Sequence, residues 1–219
     1  MLGISQLNEI LDTDELPTPG EILTQLRTRV VRELGGADKE NTTKDGMDAA
    51  LVKIPIPNSG SLKEENEVFE VEFAGAQNPL YVIREGIAEE PPSASMKYRG
   101  ESLEGNPVKP FRKSSDGIEI KGDPMPVGYE EHAKDAFTTV NLQVRKGDML
   151  YIFSDGFADQ FGGPKGKKFR YGPFKELLAE LHEKPLEGQK QELDKTFKDW
   201  KAGSGQEQID DVVVIGVRL

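Results

Sequence analysis

The chain has 219 residues, enough for one domain with a substantial core. Its net charge of −11 opposes binding to nucleic acid or an anionic lipid surface, and the absence of cysteine excludes a disulfide framework and thiolate chemistry. Two histidines leave little room for a His-rich zinc site, and no apolar run reaches the roughly 20 residues of a membrane span.

The pattern is helical from the start, with Leu2, Leu7, Ile10 and Leu11 on one face. Met1-Leu2-Gly3 shows no basic leader, so a cytoplasmic location is expected. Residues 12–17 break the first helix. A second then opens with strong punctuation: Thr18 as N-cap, Pro19 in the first turn and Glu21 completing a capping box. Ile22, Leu26, Val30 and Leu34 give it a core stripe, and Gly35-Gly36 ends it.

Strands are expected over 49–56 and 68–74, the second with Phe69, Val71 and Phe73 alternating against Val68, Glu70 and Glu72. Gly75 to Pro79 reads as a turn before a strand at 80–83. This hairpin order implies an antiparallel sheet. Residues 85–117 are rich in Glu, Pro, Ser, Lys and Gly, and read as a long polar, mobile insertion within a single domain spanning 1–219. Strands resume at 118–120, 137–144 and 149–153. Pro173 and Pro185 open two helices, with Phe174, Leu177, Leu178 and Leu181 on the first and Leu193, Phe197 and Trp200 on the second. A closing strand covers 212–217.

Two acidic features stand at strand ends. Ser154-Asp155-Gly156 follows the apolar run Leu150 to Phe153, and Asp210-Asp211 precedes the last apolar run. Each alone reads as a turn or a solvated strand edge. Together, on neighbouring strands, they could share one hard cation, and oxygen-only ligation favours Mg²⁺ or Mn²⁺. The basic stretch Lys165, Lys167 and Lys168 could meet a substrate phosphate or an acidic partner, although it lacks the features of a phosphate-binding P-loop. His132 and His182 read as surface residues.

Five segments in order carry a resemblance: Lys44 to Leu51, Ala74 to Pro79, Gly122 to Gly128, Phe153 to Gly156, and Asp210 to Val213. Together they resemble the SpoIIE-type branch of the metal-dependent protein phosphatases, the PPM superfamily. Asp159 to Lys168 is similar to the part of that branch fused to bacterial sensor modules. The resemblance implies an α+β fold, an α-β-β-α sandwich of antiparallel sheets flanked by helices. It implies a protein serine/threonine phosphatase that uses two Mn²⁺ or Mg²⁺ ions and a metal-bound water on phosphoserine or phosphothreonine. Asp155 and Asp210 take the catalytic and metal-ligating positions, with Gly156 and Asp211 completing the metal assignment. Asp45 to Asp48 is expected to shape a turn rather than ligate.

The family's Asp-x-x-Gly-His-Gly segment, which precedes the first helix, has no counterpart here. The expectation is therefore a domain truncated at its N-terminus, with a weakened metal site and exposed sheet edges that favour a homo-oligomer. The expected partner is a phosphorylated regulatory protein, such as a STAS-type anti-sigma-factor antagonist, in bacterial signalling. The expected context is the C-terminal part of a membrane-associated sensor protein, without membrane insertion of its own. The rival reading is a catalytically impaired phosphatase-like module that binds a regulatory protein.

Overall fold

The computed structural model describes residues 2–34, 46–55, 68–84, 94–98, 101–102, 111–114, 117–131 and 133–219. In chain order, α1 (Leu2–Leu11) and α2 (Pro19–Glu33) precede the short strand β1 (Gly46–Met47) and then β2 (Ala49–Lys53), β3 (Val68–Ala76) and β4 (Leu80–Ile83). Next come β5 (Ala94–Tyr98), β6 (Glu101–Ser102), β7 (Phe111–Ser114), β8 (Gly117–Ile120) and β9 (Val127–Gly128). They are followed by β10 (Thr138–Arg145), β11 (Met149–Phe153), α3 (Gly156–Asp159), β12 (Phe161–Gly162) and β13 (Lys167–Lys168). Helices α4 (Tyr171–Leu181) and α5 (Leu186–Ala202) precede the last strand, β14 (Val214–Arg218).

Two five-stranded antiparallel sheets face each other, one in the order β2-β3-β10-β5-β6 and the other β14-β11-β4-β8-β7. The period of two along each strand sends its side chains to two different layers. From β3, Phe69, Val71 and Phe73 point between the sheets, where they meet Val140, Leu142 and Val144 of β10 and Leu80, Val82 and Leu150 of the opposite sheet. Ala74 and Ala76 turn the other way, under Ile22, Leu23, Leu26 and Val30 of α2. On the second sheet, Tyr81, Met149, Tyr151 and Phe153 pack outward against Phe157, Phe174 and Leu178. The architecture is the α-β-β-α sandwich that the resemblance implies.

Local signals hold where they were strongest. Thr18 accepts from the Glu21 amide and the Glu21 carboxylate accepts from the Thr18 amide, so the capping box is complete. Such caps contribute about 1 kcal/mol each. Helix α5 is pinned by a buried polar stitch: the Tyr151 hydroxyl donates to Gln189 Oε1 at 2.7 Å, and Gln189 Nε2 donates to the carbonyls of His182 and Lys184.

Two stretches carry strand pairing that the sequence pattern did not suggest. Within the stretch read as a mobile insertion at 85–117, the described residues include strands. β5 pairs with β10 over Thr138–Leu142, and β7 pairs with β8; the remaining residues of that expectation lie outside the described ones, apart from β6 and Gly117. A ladder is made by backbone groups, so a polar segment can supply one without apolar side chains. Within the segment 45–48, expected to shape a turn, Gly46 and Met47 pair with Gly128 and Val127 as a short ribbon, while Asp45 lies outside the described residues. Among the described residues, no helix is long and apolar enough to cross a membrane.

Candidate metal centre

Strand β11 ends at Phe153, and the next two residues change direction into α3. Ser154 is bound on its backbone and side chain to the segment that leads into β14. Its amide donates to the Val213 carbonyl at 3.0 Å, and its hydroxyl donates to the Asp211 carbonyl at 2.8 Å and accepts from the Val213 amide at 3.0 Å. Gly156 lets the two chains come this close: a Cβ there would stand 2.4 Å from the Asp211 carbonyl oxygen. Asp155 takes the N-cap position of α3, but its carboxylate makes no capping hydrogen bond.

The electrostatics show which acids act on one another. Burial pushes the Asp155 carboxyl above its ordinary range, and the charges of Asp210 and Asp159 add to that, with the Asp155 backbone hydrogen bond and Lys168 acting in the opposite sense. Burial also raises Asp48, and the charge of Asp155 contributes. Asp48 belongs to the connection into β2 of one sheet, whereas Asp155 follows β11 of the other. The two sheets thus present carboxylates to one another at the same end of the sandwich. The Tyr171 phenol is pushed up to about 12, by burial first and then by the charges of Asp155, Asp159, Asp48 and Glu119.

Of the residues marked by the sequence, Gly156 packs against the Asp211 carbonyl, and the charge of Asp210 acts on Asp155. Asp211 contributes its backbone: its amide donates to Asp210 Oδ1 at 2.7 Å and its carbonyl accepts from Ser154. Asp210, and not Asp211, is the member of the pair whose charge acts on Asp155. Sequence reasoning missed Asp48 and Tyr171. The Asp48 carboxylate in the Gly46-Met47-Asp48 segment was visible, but only the meeting of the two sheets gives it a neighbour.

The basic stretch is a hairpin, with β12 paired to β13 and Gly163 and Gly166 at positive φ. It is seated on Trp200: the Gly163 amide donates to the Trp200 carbonyl at 2.7 Å, and a Cβ on Gly163 would strike the indole at 2.5 Å. Lys168 is paired with Asp159 at 2.8 Å. Lys165 and Lys167 are exposed and, among the described residues, have no carboxylate partner.

The chemistry of this donor set fits a hard divalent cation. Asp155, Asp210 and Asp48 offer only oxygen, and a cation would offset the burial and the neighbouring negative charge that raise Asp155 and Asp48. Among the described residues, no three acids or histidines converge closely enough to hold an ion by themselves. Water and a phosphate oxygen would have to complete the coordination, as is usual for Mg²⁺.

Comparison with known proteins bears on the fold and the family. The chain matches no curated protein sequence. All of it superposes on 68% of the SiaA-PP2C domain of Pseudomonas aeruginosa, with a TM-score of 0.64 and 20% identity, a likeness of fold. A second solved structure, the phosphatase domain of the cell fate determinant SpoIIE from Bacillus subtilis (Mn presoaked), has a TM-score of 0.45 and 14% identity over 99% of this chain and 71% of that one. Residues 105–219 match the family model for Stage II sporulation protein E, SpoIIE. That region exceeds half of the chain and carries Asp155 and Asp210, and the chain belongs to the SpoIIE family of PPM-type phosphatases.

Proposed function

We propose that this chain is a metal-dependent protein serine/threonine phosphatase domain that acts on a phosphorylated regulatory protein in bacterial signalling. The observation that carries the reading is the pair of grips that ties the segment bearing Asp210 to Ser154, next to Asp155, together with the charge of Asp210 acting on Asp155 and that of Asp155 acting on Asp48. Asp155 and Asp210 are the residues that would hold Mn²⁺ or Mg²⁺, with Asp48 near enough to feel the charge of Asp155. When bound, such ions supply Lewis-acid stabilisation of phosphoryl charge and an activated water nucleophile.

The chain's own groups divide the remaining work. Tyr171, kept protonated by burial first and then by the charges of Asp155, Asp159, Asp48 and Glu119, offers a hydroxyl donor near Asp155. Lys165 and Lys167, exposed on the hairpin whose Lys168 acts on Asp155, would meet the negative charge of a phosphoprotein. Lys168 is engaged by Asp159 and so acts chiefly to fix the hairpin near Asp155. By family resemblance, a STAS-type anti-sigma-factor antagonist is the class of substrate to try first.

The deciding experiment is hydrolysis of a phosphoserine peptide with and without Mn²⁺, run beside Asp155→Ala. Turnover that requires Mn²⁺ and falls by roughly 100-fold or more in the variant is expected, a loss at least as large as those from removing groups one step further from an ion. Folded protein that shows no turnover, yet retains tight binding to a phosphorylated regulatory protein, would favour a partner-binding module instead.

A further inference from the structure

The segment that carries Asp210 has little of its own to hold it. Residues 205–211 are exposed and lie in no helix or strand. The bonds within it are local: Gln208 Nε2 donates to the Asp210 carbonyl, and the Asp211 amide donates to Asp210 Oδ1. These shape the segment but do not attach it to the domain. A carboxylate on such a segment would sample many positions, and a metal site needs its ligands fixed.

The attachment comes from two residues that flank Asp155. On one side, Ser154 clasps Asp211 and Val213 through its hydroxyl, which donates to one and accepts from the other. On the other side, the completely buried Gln160 donates from Nε2 to the Glu207 carbonyl at 2.9 Å, and also to the Phe161 carbonyl at 2.9 Å. Gln160 is itself held in place, because its carbonyl accepts from Trp200 Nε1 at 3.0 Å and from the Phe169 amide at 3.0 Å. The two grips fall at Glu207 and at Asp211 to Val213, so they bracket Asp210. Gln160 Oε1, although buried, has no partner among the described residues. The orientation of this amide is therefore set by its donor side, at the expense of the acceptor.

We propose that Ser154 and Gln160 are positioning residues, which hold the exposed 207–213 segment so that the Asp210 carboxylate stands against Asp155. This rests on the metal-site reading above. Neither residue touches substrate or ion; both act through the backbone that bears Asp210.

The test is Mn²⁺ affinity by isothermal titration calorimetry, with the metal alone as probe and thermal midpoints measured on the metal-free proteins. Ser154→Ala and Gln160→Met should each bind Mn²⁺ about 10-fold more weakly than the parent chain, in the range typical of groups that orient ligands. Ser154→Thr, which keeps a hydroxyl, should bind close to the parent level. Asp210→Asn separates the two layers of the argument. If the parent fails to bind Mn²⁺, or Asp210→Asn binds as well as the parent, the metal-site reading falls and the proposal with it. If Asp210→Asn binds weakly while both Ser154→Ala and Gln160→Met bind normally, the site stands and the positioning role is wrong. A loss in Ser154→Ala that Ser154→Thr does not restore, matched by an equal loss in an unrelated destabilised variant such as Thr18→Ala, would also overturn it. Should Ser154→Ala fail to fold, Gln160→Met decides the matter alone.

Discussion

Asp148 and Asp155 stand at opposite ends of the same strand and live in opposite surroundings. Asp148 is buried and fully paired: Arg84 meets both carboxylate oxygens, and the Arg145 amide donates to Oδ2 at 2.7 Å. Asp123, beside the other sheet, is treated the same way by Lys134 Nζ at 2.7 Å and the Thr138 amide at 2.7 Å. Asp155 has acidic company instead, and its carboxyl is raised by burial and by Asp210. The fold neutralises its aspartates where they are structural. At one end of the sandwich it leaves them exposed to each other, which is costly without a cation and useful with one.

The sharpest way to break this comparison is to remove the paired member. Asp148→Ala leaves the Arg84 guanidinium, itself mostly buried, without its partner, and frees the turn between β10 and β11. Breaking a buried pair from one side costs about 3 kcal/mol or more. The thermal midpoint should fall by roughly 6–12 °C in a domain of this size, measured by circular dichroism without metal. A fall of under about 2 °C would mean that Asp148 is no more structural than Asp155.

The two aspartates also differ in how easily the sequence reveals them. The helix stripe of α2, its capping box and the alternation of β3 are local, so each was readable from neighbours in the chain. The sandwich followed from these patterns together with a family resemblance. Asp155 and Asp210 were marked because each abuts an apolar run. Asp48 was not, since its chemistry depends on the other sheet arriving opposite it. The pairing of Ala94–Tyr98 with β10 was hidden for a related reason: the ladder uses backbone groups that every sequence possesses. Lys168 looked equivalent to Lys165 and Lys167 until the fold brought Asp159 to it. Ser154 read as a turn former, and its three bonds to the 211–213 segment come from a residue nearly sixty positions away.

A smaller effect, opposite in sign, is expected at Asp155. Its folded-state carboxyl lies above the ordinary value, so the folded state holds its proton to higher pH than the unfolded chain does. That contribution to stability is present at acidic pH and is lost as pH rises from the unfolded value through the raised folded one. At pH 7 the ionised side chain therefore weakens the metal-free fold. Asp155→Asn should raise the metal-free midpoint at pH 7 by about 1–2 °C, the shift that a few tenths of a kcal/mol produces here. It should also abolish the additional stabilisation that saturating Mn²⁺ gives the parent chain. A metal-free midpoint that drops would place Asp155 with Asp148, among the paired structural acids.

The smallest effect belongs to the lysines left without acidic partners. Lys165 and Lys167 stand on a hairpin whose conformation is fixed by Trp200, Gly163 and the pair between Lys168 and Asp159, so removing their charges leaves that scaffold intact. An exposed charge contributes up to about 1 kcal/mol to an ionic contact, and salt screens it. The double variant Lys165→Ala, Lys167→Ala should thus raise KM for a phosphoprotein substrate about 3- to 10-fold at low ionic strength, with kcat and the thermal midpoint nearly unchanged. The difference from the parent should shrink as salt is added, because only a screened, long-range attraction has been lost. A fall in kcat at constant KM would instead put these lysines among the groups that act on the reacting phosphate, and the division between a neutral scaffold and a charged rim would have to be redrawn.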